Sequence, residues 1–241
     1  METAQAEETI RQAADEARRN EARNAEKSPN PLSEAFDGIA GRIDAYRGRD
    51  RDPHQAVDAA KYWREAGIPE RHKAKVADRH SAEGPWGDAY KSISGVLNTG
   101  PLIILIGGRG TGKTQMACGL LADIANHPSP VRYMKAIDLF REIRDCYRKD
   151  GPSEISIVKK LTDLGGLVID ESHERSDSAW ENMTLTNIID RRYDSMRTTI
   201  LVSNLGREAF AAAVGPSIVS RIHEVGRVIE CNWPSFRDRS K

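Results

Sequence analysis

The sequence has no excess of either charge. Its 36 Lys and Arg stand against 36 Asp and Glu, a formal net charge of zero at pH 7. A polyanion would therefore have to be met by a local patch and not by the field of the whole chain. Cysteine is scarce: Cys118, Cys146 and Cys231 are odd in number, far apart and form no C-x-x-C. That excludes a disulfide framework and a thiolate zinc site, and fits a reducing, cytoplasmic setting. Long apolar runs are missing too. The longest are about a strand in length, far below the roughly 20 residues of a membrane-spanning helix, so no membrane role is expected. The opening M-E-T-A-Q-A-E-E lacks the basic and apolar regions of a secretory signal. No N-K-x-D, the motif that reads guanine, occurs, and there is no internal repeat.

What is present centres on residues 102–114, L-I-I-L-I-G-G-R-G-T-G-K-T. Five apolar residues predict a buried strand, and the residues after Lys113 predict a helix. Between them stands G-x-x-x-x-G-K-T, in the strand-to-helix setting that gives this motif its meaning. The glycines let backbone N–H groups close on phosphate oxygens, and the helix aims its positive end at the same anion. A nucleotide cradle is thus expected over Gly107, Gly108, Arg109, Gly110, Thr111, Gly112, Lys113, Thr114 and Gln115. Lys113 would reach the β/γ-phosphates of ATP, and Thr114 would hold Mg²⁺.

Before this stretch the chain reads as helices and linkers. Residues 1–27 contain neither Gly nor Pro and carry Ala6, Ile10, Ala13 and Ala17 at helical spacing. This is either a solvated helix or one that docks on a partner. Ser28 to Pro31 breaks it, and 33–47 predicts a short amphipathic helix with Phe36, Ile39 and Ile43. A third helix is expected over 54–66. The basic strip from Glu70 to His80 lies against nucleotide or nucleic acid, or else is a solvated connection. A helix over 85–97 follows. From Pro101 strands are expected at 102–106, 131–135, 166–169, 199–203 and 227–231. Helices fill the gaps, at 113–126, 138–149, 154–163, 178–196, 207–213 and 217–224. That alternation predicts an α/β fold, a five-stranded parallel sheet covered on both faces.

Other constellations sit at strand ends or on helices. Gly166-Leu167-Val168-Ile169 ends in Asp170 and Glu171, at the carboxyl edge where open α/β sheets bind ligands. Asp170 is a magnesium ligand candidate, and Glu171 the general base that polarises the attacking water. The strand 199–203 ends in Ser203-Asn204, and Asn204 could hydrogen-bond that water or the γ-phosphate. Arg221, in Ser220-Arg221-Ile222, is a surface arginine or a finger reaching a neighbouring subunit's site. On the 138–149 helix Arg141, Arg144 and Arg148 share one face, beside a stripe of Phe140, Arg144 and Tyr147. Cations with exposed rings suit single-stranded nucleic acid; a solvated amphipathic helix is the plain alternative.

Taken together, the phosphate loop, V-I-D-E, Ser203-Asn204 and Ser220-Arg221-Ile222 resemble an AAA+ ATPase. More narrowly, L-G-G-L-V-I-D-E, N-I-I-D-R-R at 187–192, N-W-P-S-F-R at 232–237 and the 138–154 stretch are similar to DnaC-type bacterial helicase loaders. IstB-type transposition ATPases are close kin. The resemblance covers about 54–241 and implies a P-loop NTPase core without a C-terminal helical lid. It implies a helical N-terminal region over 1–50 that docks a replicative hexameric (DnaB-like) helicase, a linker and helix over 51–84, and an AAA+ domain over 85–241. It further implies self-association through AAA+ domains, with Arg221 as a trans-acting finger. Arg237 is then a second nucleotide sensor, and Phe140, Arg141, Arg144, Tyr147, Arg148 and Lys149 are contacts to single-stranded DNA. The expected function is an ATP-hydrolysing DNA replication helicase loader. An IstB-like ATPase assembling on duplex DNA and a non-hydrolysing nucleotide-gated scaffold are the alternatives.

Overall fold

The structure, a computed structural model, describes residues 65–73, 75–99, 101–125, 130–147, 152–176 and 178–237. The helices expected over 1–27 and 33–47, and all but the end of that over 54–66, lie outside the described residues. A short helix α1 (Glu70–Lys73) and a 3-10 turn (Ala77–His80) lead to α2 (Gly84–Ser94). Then follow β1 (Leu102–Ile106), α3 (Lys113–Ala125), β2 (Val131–Lys135) and α4 (Ala136–Arg144). After these come α5 (Glu154–Asp163), β3 (Gly166–Asp170) and α6 (Ala179–Asp194). The described chain closes with β4 (Thr198–Val202), α7 (Arg207–Val225) and β5 (Gly226–Glu230).

All four strand pairings are parallel, in the order β2-β3-β4-β1-β5. The three inner strands are buried at every position, which is why L-I-I-L-I reads as one apolar run with no alternation. The two-residue period of each strand divides the core. Leu102, Ile104 and Ile106 face α4 to α7, whereas Ile103 and Leu105 face α2 and α3. Each such side chain contributes about 1.5–3 kcal/mol by leaving water. The connection after β1 runs toward the β2 edge, and that after β4 runs past β1 to β5. Loops at the carboxyl ends of β1, β3 and β4 therefore meet at one crevice.

One helix departs from expectation, and one expected pair of helices is found joined. The helix expected over 138–149 starts at Ala136 and ends at Arg144, followed by a 3-10 turn (Asp145–Tyr147). Leu139, Phe140 and Ile143 are buried, Cys146 only half so, and the next position at helical spacing is Asp150. With no further apolar side chain to bury, propagation loses its tertiary support. α7 is two helical pieces joined at Gly215, whose φ of 81° and ψ of 168° are not helical. Pro216 disfavours helical dihedrals in the residue before it, and glycine takes the positive φ at least cost. Arg192 is fully buried on α6. Its guanidinium donates to Leu161 O (2.7 Å), Leu164 O (2.8 Å), Thr198 O (2.5 Å) and Thr199 Oγ1 (2.8 Å), tying the end of α5 to β4.

Candidate functional site

The loop between β1 and α3 is built on positive φ angles at Gly107 (123°), Gly110 (83°) and Gly112 (82°). Gly107 has a second reason to lack a side chain: a Cβ there would lie 2.8 Å from the Cys231 carbonyl oxygen. Lys113 is 5% exposed and donates its ammonium hydrogens to Gly107 O (2.8 Å) and Gly108 O (2.6 Å). Burial pulls its pKa below the usual lysine value. Thr114 Oγ1 donates to Asp170 Oδ2 at 2.9 Å, so the loop and the end of β3 touch directly.

Asp170 is 4% exposed. Besides Thr114, Tyr133 donates its hydroxyl to Oδ2 (2.7 Å) and Glu171 its backbone N–H to Oδ1 (2.8 Å). Burial, and then the Asp170 carboxylate, push the Tyr133 phenol far above its ordinary pKa, so it stays a donor. Glu171 sits just past the strand at a φ of 52°. Its carboxylate is 2.6 Å from Lys135 Nζ, and the hydrogen bond to Glu171 raises the Lys135 pKa. Asn204 follows β4, and its N–H points at His173 Nδ1 (3.4 Å), which also lies 3.2 Å from Ser203 Oγ.

Some of these groups line a cavity of about 900 Å³, the scale of a small-molecule site, whereas Gly107, Gly108 and Thr111 of the expected cradle do not. Gly110, Gly112, Lys113, Thr114, Gln115, Asp170, Glu171 and Asn204 share it with Arg109 and Arg237. The basic strip reaches it as well, through Arg71, His72, Lys75 and Arg79. His72 Nδ1 is 2.9 Å from Gln115 Oε1 and Arg79 Nη2 2.7 Å from Asp123 Oδ1, so the strip touches α3 at two points while Glu70, Arg71, Lys75, Asp78 and His80 stay exposed. Sequence reasoning missed Tyr133, Lys135 and His173. Tyr133 and Lys135 have no motif around them, and the register β2 shares with β3, which sets Lys135 opposite Asp170, brings both in; His173 stands two residues past Glu171, and its place behind that motif was the signal for it. Arg221 does not line the cavity. Its Nε lies 2.8 Å from Asp190 Oδ1 and its guanidinium 5.6 Å from the centre of the Tyr193 ring, on the α6–α7 side.

The nucleic-acid face expected on α4 is corrected at one position. Phe140 is 2% exposed and meets the Trp180 ring edge-on in the core, so it is not an exposed ring. Arg144 is committed to Glu181 (2.7 Å) and stacks over Trp180 at 5.1 Å. Tyr147 is 67% exposed with its hydroxyl on Glu154, and Arg141 is exposed beside Asp138. Arg148 and Lys149 lie outside the described residues.

A family model described as "IstB-like ATP binding protein" matches residues 91–241. The chain belongs to the IstB-like ATP-binding family. Among its relatives, the replicative helicase loader DnaC of Escherichia coli (strain K12) is 28% identical over 137 residues, 56% of each chain. An uncharacterised protein of the same strain, YdaV, is 30% identical over 149 residues, 61% of this chain and 60% of its own. The match thus spans little more than half the length of these relatives. Among solved structures, the crystal structure of the DnaC helicase loader has a TM-score of 0.58 at 19% identity, covering 67% of this chain and 99% of that one. AMPPCP-bound DnaA from Aquifex aeolicus has a TM-score of 0.58 at 17% identity, covering 70% of this chain and 52% of that one. The IstB-like chain therefore has the fold of these solved structures, a P-loop core of five parallel strands with helices on both faces. Among its described residues no helix is long and apolar enough to cross a membrane.

Proposed function

We propose that this IstB-like chain hydrolyses ATP and loads a replicative hexameric helicase onto single-stranded DNA. The observation that carries the hydrolytic part is the convergence of Lys113, Thr114, Asp170, Glu171 and Asn204 on one cavity. Lys113 leaves the loop carbonyls for the β/γ-phosphates, and the loop N–H groups take the remaining charge. Glu171 accepts the proton of the attacking water once Lys135 releases its carboxylate, and Asn204 orients that water or the γ-phosphate. Thr114 Oγ1 and Asp170 Oδ2 are hard oxygen donors 2.9 Å apart, a pair that suits Mg²⁺. Among the described residues no cluster of three or more His, Cys, Asp or Glu could hold a metal by itself, so the ion would come in with the nucleotide's phosphates. When bound, it would neutralise charge on the phosphate oxygens.

The loading role rests on the similarity to the DnaC loader of Escherichia coli. In this reading residues 1–50 dock the helicase, 51–84 are the linker, and 85–241 form the ATPase domain. Copies associate so that Arg221 reaches a neighbour's phosphates. To do so it would have to leave Asp190, from which its Nε lies 2.8 Å. Arg237, which lines the cavity, senses the nucleotide. Tyr147 and Arg141, exposed at the end of α4, contact DNA together with Arg148 and Lys149. Size-exclusion chromatography with the host's replicative helicase tests the partner. A complex is expected with the full chain and none without residues 1–50; a complex surviving the deletion would sink the docking role. Glu171→Gln is expected to keep ATP binding and abolish turnover. Wild-type turnover at background, with DNA and helicase present, would favour the non-hydrolysing scaffold. A second reading, an IstB-like transposition ATPase, shares the ATP binding that the description of the matching family names. Preference for duplex over single-stranded DNA in a binding titration would select it.

A further inference from the structure

A loop that grips phosphate through its N–H groups has to turn its carbonyl oxygens the other way, and those oxygens need donors of their own. Here the donors fall into two sets. The first is internal. Lys113 Nζ serves Gly107 O and Gly108 O, and Thr111 Oγ1 also serves Gly108 O (3.0 Å). The lysine is the ammonium a nucleotide would claim, so this part of the set is given up on binding. The second set comes from outside the loop and falls on three consecutive carbonyls. Gly110 O accepts the Phe236 N–H (2.9 Å), Thr111 O the Trp233 Nε1–H (2.8 Å), and Gly112 O the Trp86 Nε1–H (3.2 Å). Gly112 O also takes the first helical bond, from Met116 N (2.9 Å), so Trp86 is its second donor.

The outside donors reach the loop from two segments far apart in the chain, both packed on the same face of the sheet. Trp86 stands on α2, ahead of β1, and Trp233 follows β5, the strand hydrogen-bonded to β1. Cys231 N donates to Ile106 O at 2.8 Å, which sets the start of the Trp233 segment alongside the loop. Trp86 lines the nucleotide cavity, whereas Trp233 does not. Trp233 can therefore act on a nucleotide only indirectly, through the loop or through the segment that carries Phe236 and Arg237 into the cavity.

We propose that Trp233, with Trp86 in support, is a positioning residue that holds Gly110 to Gly112 in the phosphate-binding conformation, before and after Lys113 changes partners. The proposal rests on the nucleotide reading given above. Without the indole N–H, the Thr111 carbonyl has to seek another donor, and the loop samples peptide orientations that aim oxygen at the phosphates. Bound phosphates restore the order, so the defect falls on binding and not on the chemical step.

The test uses the full chain with two replacements at position 233. Trp233→Phe removes the donor. Benzothienylalanine at the same position keeps the shape of the ring and exchanges N–H for sulfur. ATP affinity is measured by titration calorimetry, turnover at saturating ATP, and unfolding temperature without nucleotide. Both replacements are expected to weaken ATP binding about five- to tenfold, the worth of one neutral hydrogen bond. The kcat should stay within about twofold, and with benzothienylalanine, which keeps the packing of the partly buried ring on the core, the nucleotide-free unfolding temperature should stay near that of the wild type. If benzothienylalanine binds ATP as tightly as tryptophan, the positioning role is overturned while the nucleotide reading stands. An affinity loss matched by a large fall in the nucleotide-free unfolding temperature marks a fold defect and overturns it too. If the wild-type chain takes up no ATP, the nucleotide reading falls, and this inference with it.

Discussion

Glu171 is held twice, by a backbone φ of 52° and by an ion pair of 2.6 Å to Lys135. A non-glycine residue at such a φ costs about 1–3 kcal/mol, a strain typical of working sites. The pair is part-exposed, which limits its strength to about 1 kcal/mol. Lys135→Met should therefore raise basal ATP turnover by no more than about fivefold, read in a steady-state phosphate-release assay. A fall in turnover would mean that the lysine assists the base. Lys113 gives a pH signature. Burial lowers its pKa, and bound phosphates favour its charged form. ATP affinity should be full below that lowered pKa and decline as pH rises through it, with protons taken up on binding. Calorimetry in two buffers of unequal ionisation heat measures the uptake; equal apparent heats across the alkaline range would refute it. Lys113, Thr114, Asp170 and Glu171 were legible because short contiguous patterns carry them. Tyr133, Lys135 and Trp233 were not, since only strand register and the packing of distant segments bring them to the loop.

At the scale of elements, the five strands fall within a residue of where apolar runs place them, because strands buried on both faces need such runs. The end of α4 was misjudged because charge spacing continues past the point where burial stops. Phe140 was misread for the same reason: the cationic face and the core face meet along it, and only packing against Trp180 decides the side. The break in α7 falls between the helices expected over 207–213 and 217–224, at Gly215-Pro216. A Cβ at Gly215 would touch nothing within 4 Å, so the cost of Gly215→Ala is conformational alone. It should destabilise the chain by about 1–2 kcal/mol. A urea titration checks this, with an unchanged midpoint as the contrary result.

For the whole molecule, strand order was the least legible property, since periodicity says which face is buried and nothing about which strand lies next. The order β2-β3-β4-β1-β5 places loop, carboxylates and Asn204 at one edge. Arg192 helps to fix that order by joining the end of α5 to β4 through carbonyl oxygens. Burial lowers its pKa to about 9, which leaves it charged at neutral pH. Arg192→Ala would strand several buried carbonyls and should cost about 3–5 kcal/mol in a denaturant titration; a loss below about 1 kcal/mol would show that the cluster is not structural. The two indoles on the phosphate loop have a practical corollary. Trp86 and Trp233 pack on one face of the sheet and Trp180 on the other. Indole emission responds to hydrogen bonding at the ring nitrogen, so once Trp63, which lies outside the described residues, is replaced by Phe, the loop carries its own optical probe, with Trp180 on the opposite face as an internal reference. Rearrangement of the loop could then be followed on the millisecond scale in a stopped-flow instrument, with neither a dye nor a modified nucleotide.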